Sequence, residues 1–481
     1  MNSGETTLDL IRLFVFLLGA SAIVSILARR VKLPYTVGLV AFGIVVGHFA
    51  QPLRLEITPQ LVLVVLLPAL IFEASLRTDL GRLRSSLVSV GLLAGPGVFL
   101  SALFVAVALN LGAGVPWSEA FVVGAMLSAT DPAAVIATFR RLSSPSHLRT
   151  LVEAESVLND GTGIVVFALA VEFVSRPVGP LDVTGSFVAI LTVSTALGAA
   201  AGYAASRLLP YVGDHLTEIS LSVVLAYGTY LAADALHQSG VIATASAGIV
   251  LGNYMRQHGI SAVTEEALDT IWDFLAYLAT AFVFLVVGFA ISLQSLTDVL
   301  VPLAWAIAAA LVGRAVMVYV MLGGWRVARE TLRRHEATRR AMIRVAGAPP
   351  GDIPVPWLHV VWWSGLRGAV STALALSLPT DFPDRGELQA IVFGVVLFTL
   401  FVQATTAELV VARWGTPAVD GADRVTHAAR AADDGNGSAD PAAAAARQAS
   451  PRAHRRASGN APDRPAVPER PAAGDTPADS R

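Results

Sequence analysis

Four acidic or amide side chains lie within the first ten residues of one apolar stretch, LVEAESVLNDGTGIVVFALAVEFV. A charged side chain at the centre of a bilayer costs about 3 kcal/mol even on lenient insertion scales, so spans that keep one commonly use it. On a helix, Glu155 and Asn159 lie on one edge, while Ser156 and Asp160 lie on the neighbouring edge about 100° away. The stretch therefore predicts one polar helix face in which two carboxylates have different roles.

A second stretch, MLSATDPAAVIATF, places Thr130, Asp131 and Pro132 about midway along another apolar segment. Proline removes a main-chain donor and disfavours helix at the residue before it, which predicts a break or kink at Asp131. Broken backbone at this depth is tolerated only where protein or water surrounds it, and such breaks commonly form transporter ion sites. The alternative role of Asp131, capping the second half-helix, is compatible with an ion site.

The oxygen-bearing side chains of these two stretches predict a site for a monovalent cation. Thr130, Asp131, Ser156 and Asp160 supply carboxylate and hydroxyl oxygens, which are suitable ligands for a hard cation. The competing interpretation is that Asp160 is neutral and only hydrogen-bonded. An apolar residue would fill such a structural position at lower cost, so Asp160 is the predicted binding group.

A third stretch, WWSGLRGAVSTALALSL, puts Arg367 near the middle of a late apolar segment. Because arginine does not lose its proton in proteins, a buried Arg367 needs a carboxylate partner. Glu155 is the predicted partner, since its helix edge differs from that of Asp160 and leaves Asp160 free to titrate. Gly365 and Gly368 predict close approach or an unwound segment, as a counterpart to the break in the second stretch.

Other polar residues within apolar segments are open to more than one interpretation. Glu73, in LPALIFEASLRTDL, is placed either to form an i,i+4 pair with Arg77 or to line the cytoplasmic mouth of an ion path. Arg314 and Glu408 lie deeper, and we expect each to have a structural partner that the sequence does not identify.

The composition of the chain is that of an integral membrane protein. Its 481 residues are 54% hydrophobic and 15% charged, a balance that a water-exposed surface tolerates poorly. The absence of cysteine excludes disulfide bonds and thiolate metal sites. Intramembrane aspartyl proteases are the enzyme class nearest in residue type, but their GxGD context is missing. We therefore predict no enzyme, no cofactor and no nucleic-acid partner.

Apolar segments of about 20 residues, the length that crosses a bilayer, recur along the chain and predict an all-α polytopic membrane protein. The first segment is a retained span rather than a signal peptide, because no small-residue cleavage site follows it. About thirteen spans are predicted, of which the second, third and ninth are short. They lie near residues 8–28, 34–50, 58–76, 85–110, 117–139, 150–174, 185–208, 218–236, 239–254, 270–293, 299–322, 357–378 and 388–412.

Basic residues in alternate loops predict the orientation of the spans, because cytoplasmic loops collect lysine and arginine. With an odd number of spans, the N-terminus lies outside and the C-terminus in the cytoplasm. A transmembrane domain of residues 1–413 is followed by residues 414–481, whose composition predicts a disordered cytoplasmic tail. The basic loops contain Arg29, Arg30 and Lys32; Arg77, Arg82 and Arg84; Arg140, Arg141 and Arg149; Arg207; Arg256; and the set from Arg326 to Arg344.

The motifs FEASL, TDP, EAESVLNDGTG and GLRGAV occur in this order. With them, residues 8–413 resemble the NhaP-type bacterial cation/proton antiporters of the CPA1 family and their relatives, the animal sodium/proton exchangers. The resemblance implies two inverted six-helix repeats joined by the seventh span, with crossed discontinuous helices at spans 5 and 12. It also implies a dimerisation domain, a moving core ion-transport domain and a homodimer in the cell membrane.

The resemblance also implies roles for individual positions. Asp160 corresponds to the group that binds the cation and the proton, and Asn159 to its non-titrating neighbour. The other positions correspond to ligands or cavity wall (Thr130, Asp131, Ser156), a structural ion pair (Glu155 with Arg367) and an acidic residue near the ion path (Glu73).

The residues and the resemblance together predict electroneutral exchange of one Na⁺ for one H⁺ by alternating access, with both ions competing for Asp160. Because Asn159 cannot titrate, each cycle replaces one positive charge by another. The membrane potential, worth about 2.3 kcal/mol per charge per 100 mV, would then not drive turnover. The alternatives are a K⁺/H⁺ antiporter of the same fold, since Na⁺ and K⁺ both accept hard oxygens, and a passive cation channel.

Overall fold

Helices and short connections make up the part of the chain that the computed structural model describes, which is residues 3–31, 34–49, 61–142, 144–175, 180–258, 262–291, 293–327 and 353–415. Residues 416–481 of the predicted tail and 328–344 of the basic stretch lie outside these ranges. Helices α1 to α9 cover Ser3–Val31, Tyr35–Phe49, Leu67–Arg77, Leu80–Ala94, Pro96–Ala113, Trp117–Met126, Ala133–Arg141, Ser146–Ser175 and Pro180–Leu208. Helices α10 to α18 cover His215–Ala235, Gly240–His258, Ala262–Ala290, Leu293–Asp298, Leu300–Met317, Val355–Trp363, Ala369–Leu376, Arg385–Phe398 and Thr405–Trp414.

The helices have the length and composition of membrane spans. Among the described residues, seven helical segments are long and apolar enough to cross a membrane, and shorter apolar helices cover Val15–Ala28 and Tyr35–Gly47. A helix satisfies its own main-chain hydrogen bonds, which a segment in lipid must do. The prediction of an all-α polytopic membrane protein is confirmed. The count of about thirteen spans and the inverted repeats stay predictions.

The fifth and twelfth predicted spans are interrupted near their middle. In the fifth, α6 ends at Met126 and α7 begins at Ala133, directly after Pro132. In the twelfth, α15 ends at Trp363 and α16 begins at Ala369. Both interruptions lie where proline or glycine predicts them, whereas the crossing of the two spans stays a prediction.

Other irregularities have no counterpart in the hydropathy pattern. The predicted fourth span divides into α4 and α5 at Gly95 and Pro96, because proline has no N–H with which to continue the helix. Thr162 of α8 donates to the carbonyl oxygen of Ala94 at 2.6 Å, next to this division. A π-helical segment, Thr399–Ala404, joins α17 to α18, and such segments are frequent at functional sites.

Close helix packing surrounds the interrupted fifth span. Its first half, α6, packs against α5 and α8, and buried apolar side chains such as Val105, Met126 and Phe284 form one continuous core around it. Elsewhere α9 meets α11 through small residues, since a Cβ added at Gly198 would overlap the backbone of Ala243. Small residues at membrane helix contacts let backbones approach closely. The site described below is therefore held by tightly packed helices.

Asp214 caps the N-terminus of α10 outside the apolar segments. Its carboxylate accepts hydrogen bonds from the hydroxyl of Thr217 at 2.8 Å and from the amide of Thr217 at 3.0 Å. These bonds, the hydroxyl first, lower the pKa of Asp214 below its ordinary value. A lowered folded-state pKa means that the stabilisation is present above the unfolded pKa of about 3.9 and is lost as the pH falls through the folded value.

This cap predicts a local effect on hydrogen exchange. At neutral pH we expect Asp214→Ala to speed exchange in the first turn of α10, relative to intrinsic rates, because its amides lose their acceptor. Asp214→Asn keeps an acceptor, so it should retain protection without the acid dependence of the wild type. Equal protection in the wild type and Asp214→Ala would show that the cap contributes nothing.

Candidate functional site

The break between α6 and α7 is held against α8 by hydrogen bonds. Ser156 Oγ donates to the carbonyl oxygen of Thr130, and Asn159 Nδ2 donates to Thr130 Oγ1 at 3.1 Å. The main-chain amide of Thr130 donates to the Asp160 carboxylate. These bonds satisfy groups that the interrupted helix leaves without helical partners. The structure thus brings together four of the residues that the sequence assigns to one site.

Two oxygens at this place lack a hydrogen-bond donor in the part of the chain that the structure describes. Among the described residues, Asp160 Oδ1 and Asn159 Oδ1 are buried and lack a hydrogen-bond partner, although Asp160 as a whole is partly exposed. The amide orientation of Asn159 follows from Glu155, whose acceptor Oε1 lies 3.4 Å from Nδ2. Buried polar atoms are nearly always partnered, so an unpartnered carboxylate oxygen beside a helix break indicates a binding role.

The break between α15 and α16 lies against the first break. The amide of Asp131 donates to the carbonyl oxygen of Leu366 at 2.8 Å, and a Cβ added at Gly368 would overlap the Asp131 carboxylate. One oxygen of that carboxylate also lies 3.5 Å from the amide of Ala369, the first residue of α16. A carboxylate is favourable at a helix N-terminus. Asp131 therefore joins the two breaks, whereas the predicted capping role placed it on its own span.

Arg367 binds the first break through its side chain. Its Nη1 donates to the carbonyl oxygen of Ala129 at 3.1 Å, and its Nη2 lies 3.5 Å from Ser101 Oγ of α5. Ser371 also donates to the Ala129 carbonyl, at 3.2 Å. The main chain of Arg367 is held by Thr399, whose hydroxyl lies 3.2 Å from its amide and 3.1 Å from its carbonyl oxygen. Arg367 thus connects both breaks to the π-helical segment.

The buried ion pair joins Glu155 of α8 to Arg314 of α14. Arg314 Nη1 donates to Glu155 Oε1 at 2.6 Å, and Nη2 donates to Oε2 at 2.9 Å. The two side chains are 2% and 3% exposed, and Arg314 Nη2 also donates to the carbonyl oxygen of Val361. The predicted pairing of Glu155 with Arg367 is wrong. Arg314 occupies both carboxylate oxygens in the bidentate geometry that guanidinium favours, while Arg367 turns towards a main-chain carbonyl.

Glu73 and Glu408, two further acidic residues that the sequence places within apolar segments, both lie in ion pairs. Glu73 of α3 is 3.2 Å from Arg77, as its i,i+4 interpretation predicts, and Arg77 also binds Asp273 of α12 at 2.5 Å. Glu408 of α18 pairs with Arg141 of α7 at 3.0 Å, with both side chains more than half exposed. The role of Glu73 near an ion path stays a prediction.

The structure adds three residues, Ser101, Arg314 and Thr399, that the sequence does not assign to this site. Ser101 and Thr399 lie in spans without a recognisable motif, and no local signal connects them to the breaks. Arg314 did carry a signal, because it is a second arginine within an apolar segment. A buried arginine needs a carboxylate partner, so the sequence makes Arg314 a second candidate, beside Arg367, for the partner of Glu155.

Comparison with known proteins gives consistent matches along the same region. The family described as "Sodium/hydrogen exchanger, transmembrane" matches residues 17–413. The low-affinity Na⁺/H⁺ antiporter NhaS1 of Synechocystis is 35% identical over 407 residues, which cover 82% of this chain and 73% of that protein. The Na⁺/H⁺ antiporter NhaP of Pseudomonas aeruginosa is 30% identical over 436 residues, which cover 84% of this chain and 96% of that protein.

A solved structure shares the fold. The sodium proton antiporter MjNhaP1 from Methanocaldococcus jannaschii, determined at pH 8, is similar with a TM-score of 0.69 and 18% sequence identity. The alignment covers 86% of this chain and 100% of that one. At this level of identity the likeness shows the architecture of the helices.

Proposed function

The chain belongs to the sodium/hydrogen exchanger family, whose members are transporters and not enzymes, and from that premise we propose that it is a Na⁺/H⁺ antiporter in which both ions compete for Asp160. The observation that carries the proposal is the buried oxygen Asp160 Oδ1, which has no donor among the described residues and lies beside a helix break. Either a proton or a cation can satisfy a carboxylate oxygen in that position, and each excludes the other.

The atoms around Asp160 form a mixed set of oxygen ligands for the cation. We assign the Na⁺ ligands to Asp160, Asp131, Thr130 and Ser156. Ser156 Oγ gives its hydrogen to the Thr130 carbonyl, which leaves its lone pairs available for a cation. Asn159, with its unpartnered Oδ1, is the neutral neighbour. Carboxylate, hydroxyl and amide oxygens are hard ligands, so the set suits an alkali cation.

The charges of the cluster support exchange of one ion for one ion. Three carboxylates (Asp131, Glu155, Asp160) and two guanidinium groups (Arg314, Arg367) interact with one another. The cluster therefore carries one excess negative charge, which one proton or one Na⁺ neutralises. Because an uncompensated buried charge is costly, states with neither ion or with both are disfavoured. Each cycle then exchanges one positive charge for another, and ion gradients alone drive turnover.

The proposal is tested with the purified full chain in proteoliposomes that contain a pH-sensitive dye. After a pH gradient is imposed, we expect Na⁺ to dissipate it. A response to K⁺ alone would favour the K⁺/H⁺ antiporter instead. Cation uptake without proton movement would indicate a passive channel and overturn the proposal.

The stoichiometry has a separate electrical test. On a solid-supported membrane, exchange of one Na⁺ for one H⁺ should give no steady current that depends on the imposed potential. A transport current that grows with potential would contradict the charge count of the cluster, even if Na⁺/H⁺ exchange itself were confirmed.

We further propose that the protein works by alternating access as a homodimer in the cell membrane, with the N-terminus outside. The distribution of basic loops supports this orientation. Because the chain has no cysteine, single introduced cysteines report topology without background labelling. An impermeant thiol reagent added to intact cells should label Thr6→Cys and should not label Arg207→Cys. The reverse pattern would contradict the orientation.

Gly368 offers a test of the contact between the two breaks. An alanine there would place its Cβ within the space of the Asp131 carboxylate, so Asp131 or the backbone must move. Displacement by about 1 Å at a reacting site can cost on the order of 100-fold in rate, and we expect a loss of that size in exchange. Gly91→Ala on α4 is the control, because nothing lies within 4 Å of its added Cβ. Full exchange by Gly368→Ala would show that this contact is not needed.

A further inference from the structure

A small cavity lies where α14, the break between α15 and α16, and the last span meet. Its volume is about 10 Å³, and its lining includes Arg314, Gly365, Arg367, Thr399 and Gln403. Each of its three longest polar side chains has a buried atom without a partner in the part of the chain that is described. These atoms are Arg314 Nε, Arg367 Nε and Gln403 Oε1. The three residues are at most 3% exposed, so solvent at the surface does not satisfy these atoms.

We propose that this cavity binds one ordered water molecule that accepts hydrogen bonds from both arginines and donates one to Gln403. A guanidinium Nε can only donate, whereas the amide oxygen of Gln403 can only accept. A water molecule does both, and a cavity of roughly 10–15 Å³ is the minimum that holds one. A halide ion would accept from the two arginines, but it would leave the Gln403 oxygen unsatisfied. The three orphaned atoms therefore match water.

This water makes Gln403 a positioning residue for Arg367. Gln403 lies in the π-helical segment Thr399–Ala404, and Thr399 of the same segment already binds the main chain of Arg367. The side chain of Arg367 in turn binds Ala129 at the first break. The last span is thus linked through Gln403, the water and Arg367 to the residues beside Asp160. The effect on transport rests on the proposed function, whereas the water itself does not.

Close packing at the cavity keeps the arginine in place. A Cβ added at Gly365 would lie 2.7 Å from Arg314 Nε, which is closer than such atoms approach. The backbone of the second break therefore sits directly against the guanidinium that faces Glu155. Arg314 is also held by its ion pair with Glu155, so a bound water, rather than movement of this side chain, satisfies its Nε–H group, which has no acceptor among the described residues.

The direct test is a cryo-electron microscopy map of the full chain in lipid nanodiscs, at a resolution that shows ordered water. We expect one isolated peak within about 2.7–3.2 Å of Arg314 Nε, Arg367 Nε and Gln403 Oε1. No peak, or a peak that contacts the arginines alone and strengthens in bromide buffer, would overturn the proposal. The second of these results would assign the cavity to an anion.

Two substitutions at Gln403 distinguish a water site from an anion site in solution. Gln403→Leu removes the acceptor, so we expect a lower midpoint of thermal unfolding and an apparent KM for Na⁺ raised roughly 10-fold, with a smaller change in kcat. Gln403→Glu keeps an acceptor oxygen and should preserve thermal stability. It is judged by stability alone, because its charge adds to the cluster. An anion site would give the opposite order of stability.

The neighbouring Val402 provides the control for disturbance of the π-helical segment. Its side chain is 40% exposed, and Val402→Leu should leave both stability and KM unchanged. If Gln403→Leu behaves like Val402→Leu, Gln403 positions nothing and the inference fails. If the wild type shows no Na⁺/H⁺ exchange, the proposed function fails, while the map and the stability comparison still decide the water site.

Discussion

Asp160→Asn is expected to abolish Na⁺-driven proton movement and to leave the protein folded. Asparagine has the same shape as aspartate, but it neither takes up a proton nor supplies the excess negative charge that holds a cation. One oxygen of the Asp160 carboxylate has no donor among the described residues, and the ion pair described beside it joins Glu155 to Arg314, so neutralising Asp160 leaves that pair intact. The amide of Thr130 can still donate to the oxygen of the new side chain. We expect exchange below about 1% of the wild type, since the binding group itself is removed.

The matched control for this variant is on the same helix. Glu172 lies further along α8 and is exposed, so Glu172→Gln removes a carboxylate without touching the site. It should retain full exchange in the same proteoliposomes, and both variants should unfold at the wild-type temperature. Full exchange by Asp160→Asn would remove Asp160 from the mechanism. Loss of exchange together with loss of folding would assign Asp160 a structural role instead.

The parts of this site that the sequence predicts are those that one helix or one proline determines. Helical spacing places Ser156 and Asp160 on one edge of α8, and both contact the main chain of Thr130. Pro132 predicts the break in the fifth span, because a residue without an N–H cannot continue a helix. The i,i+4 spacing of Glu73 and Arg77 likewise predicts their ion pair.

The parts that could not be predicted depend on how separate spans pack. Two arginines lie within apolar segments, and nothing in their spacing decides which one reaches Glu155. Only the arrangement of α8, α14 and α15 places Arg314 against both carboxylate oxygens. The division at Pro96 was missed for another reason. Residues 85–110 contain no charged residue and are apolar enough to predict one span, so hydropathy shows no break, and only the missing proline N–H reveals it.

The pair between Arg314 and Glu155 is expected to have the largest effect on stability. In Arg314→Ala, the Glu155 carboxylate keeps only a long contact of 3.4 Å from Asn159 Nδ2 among the bonds described. Removing one partner of a buried ion pair costs about 3–5 kcal/mol, because the remaining charge is left uncompensated. We expect a large fall in the midpoint of thermal unfolding in detergent. Arg367→Ala should destabilise less, since the described bonds of the Arg367 guanidinium go to the Ala129 carbonyl and the Ser101 hydroxyl and not to Glu155.

The comparison that isolates this effect uses an exposed pair in the same protein. Arg141→Ala breaks the surface pair with Glu408, which is worth about 0–1 kcal/mol. If Arg314→Ala is no more destabilising than Arg141→Ala, the buried pair is not structural.

The double variant Glu155→Leu with Arg314→Met removes both charges, so it should recover much of the lost stability. It also leaves the excess negative charge of the cluster unchanged, because one carboxylate and one guanidinium are removed together. The recovered double variant should therefore still exchange Na⁺ for H⁺, whereas a transporter that needs this pair for ion binding would stay inactive.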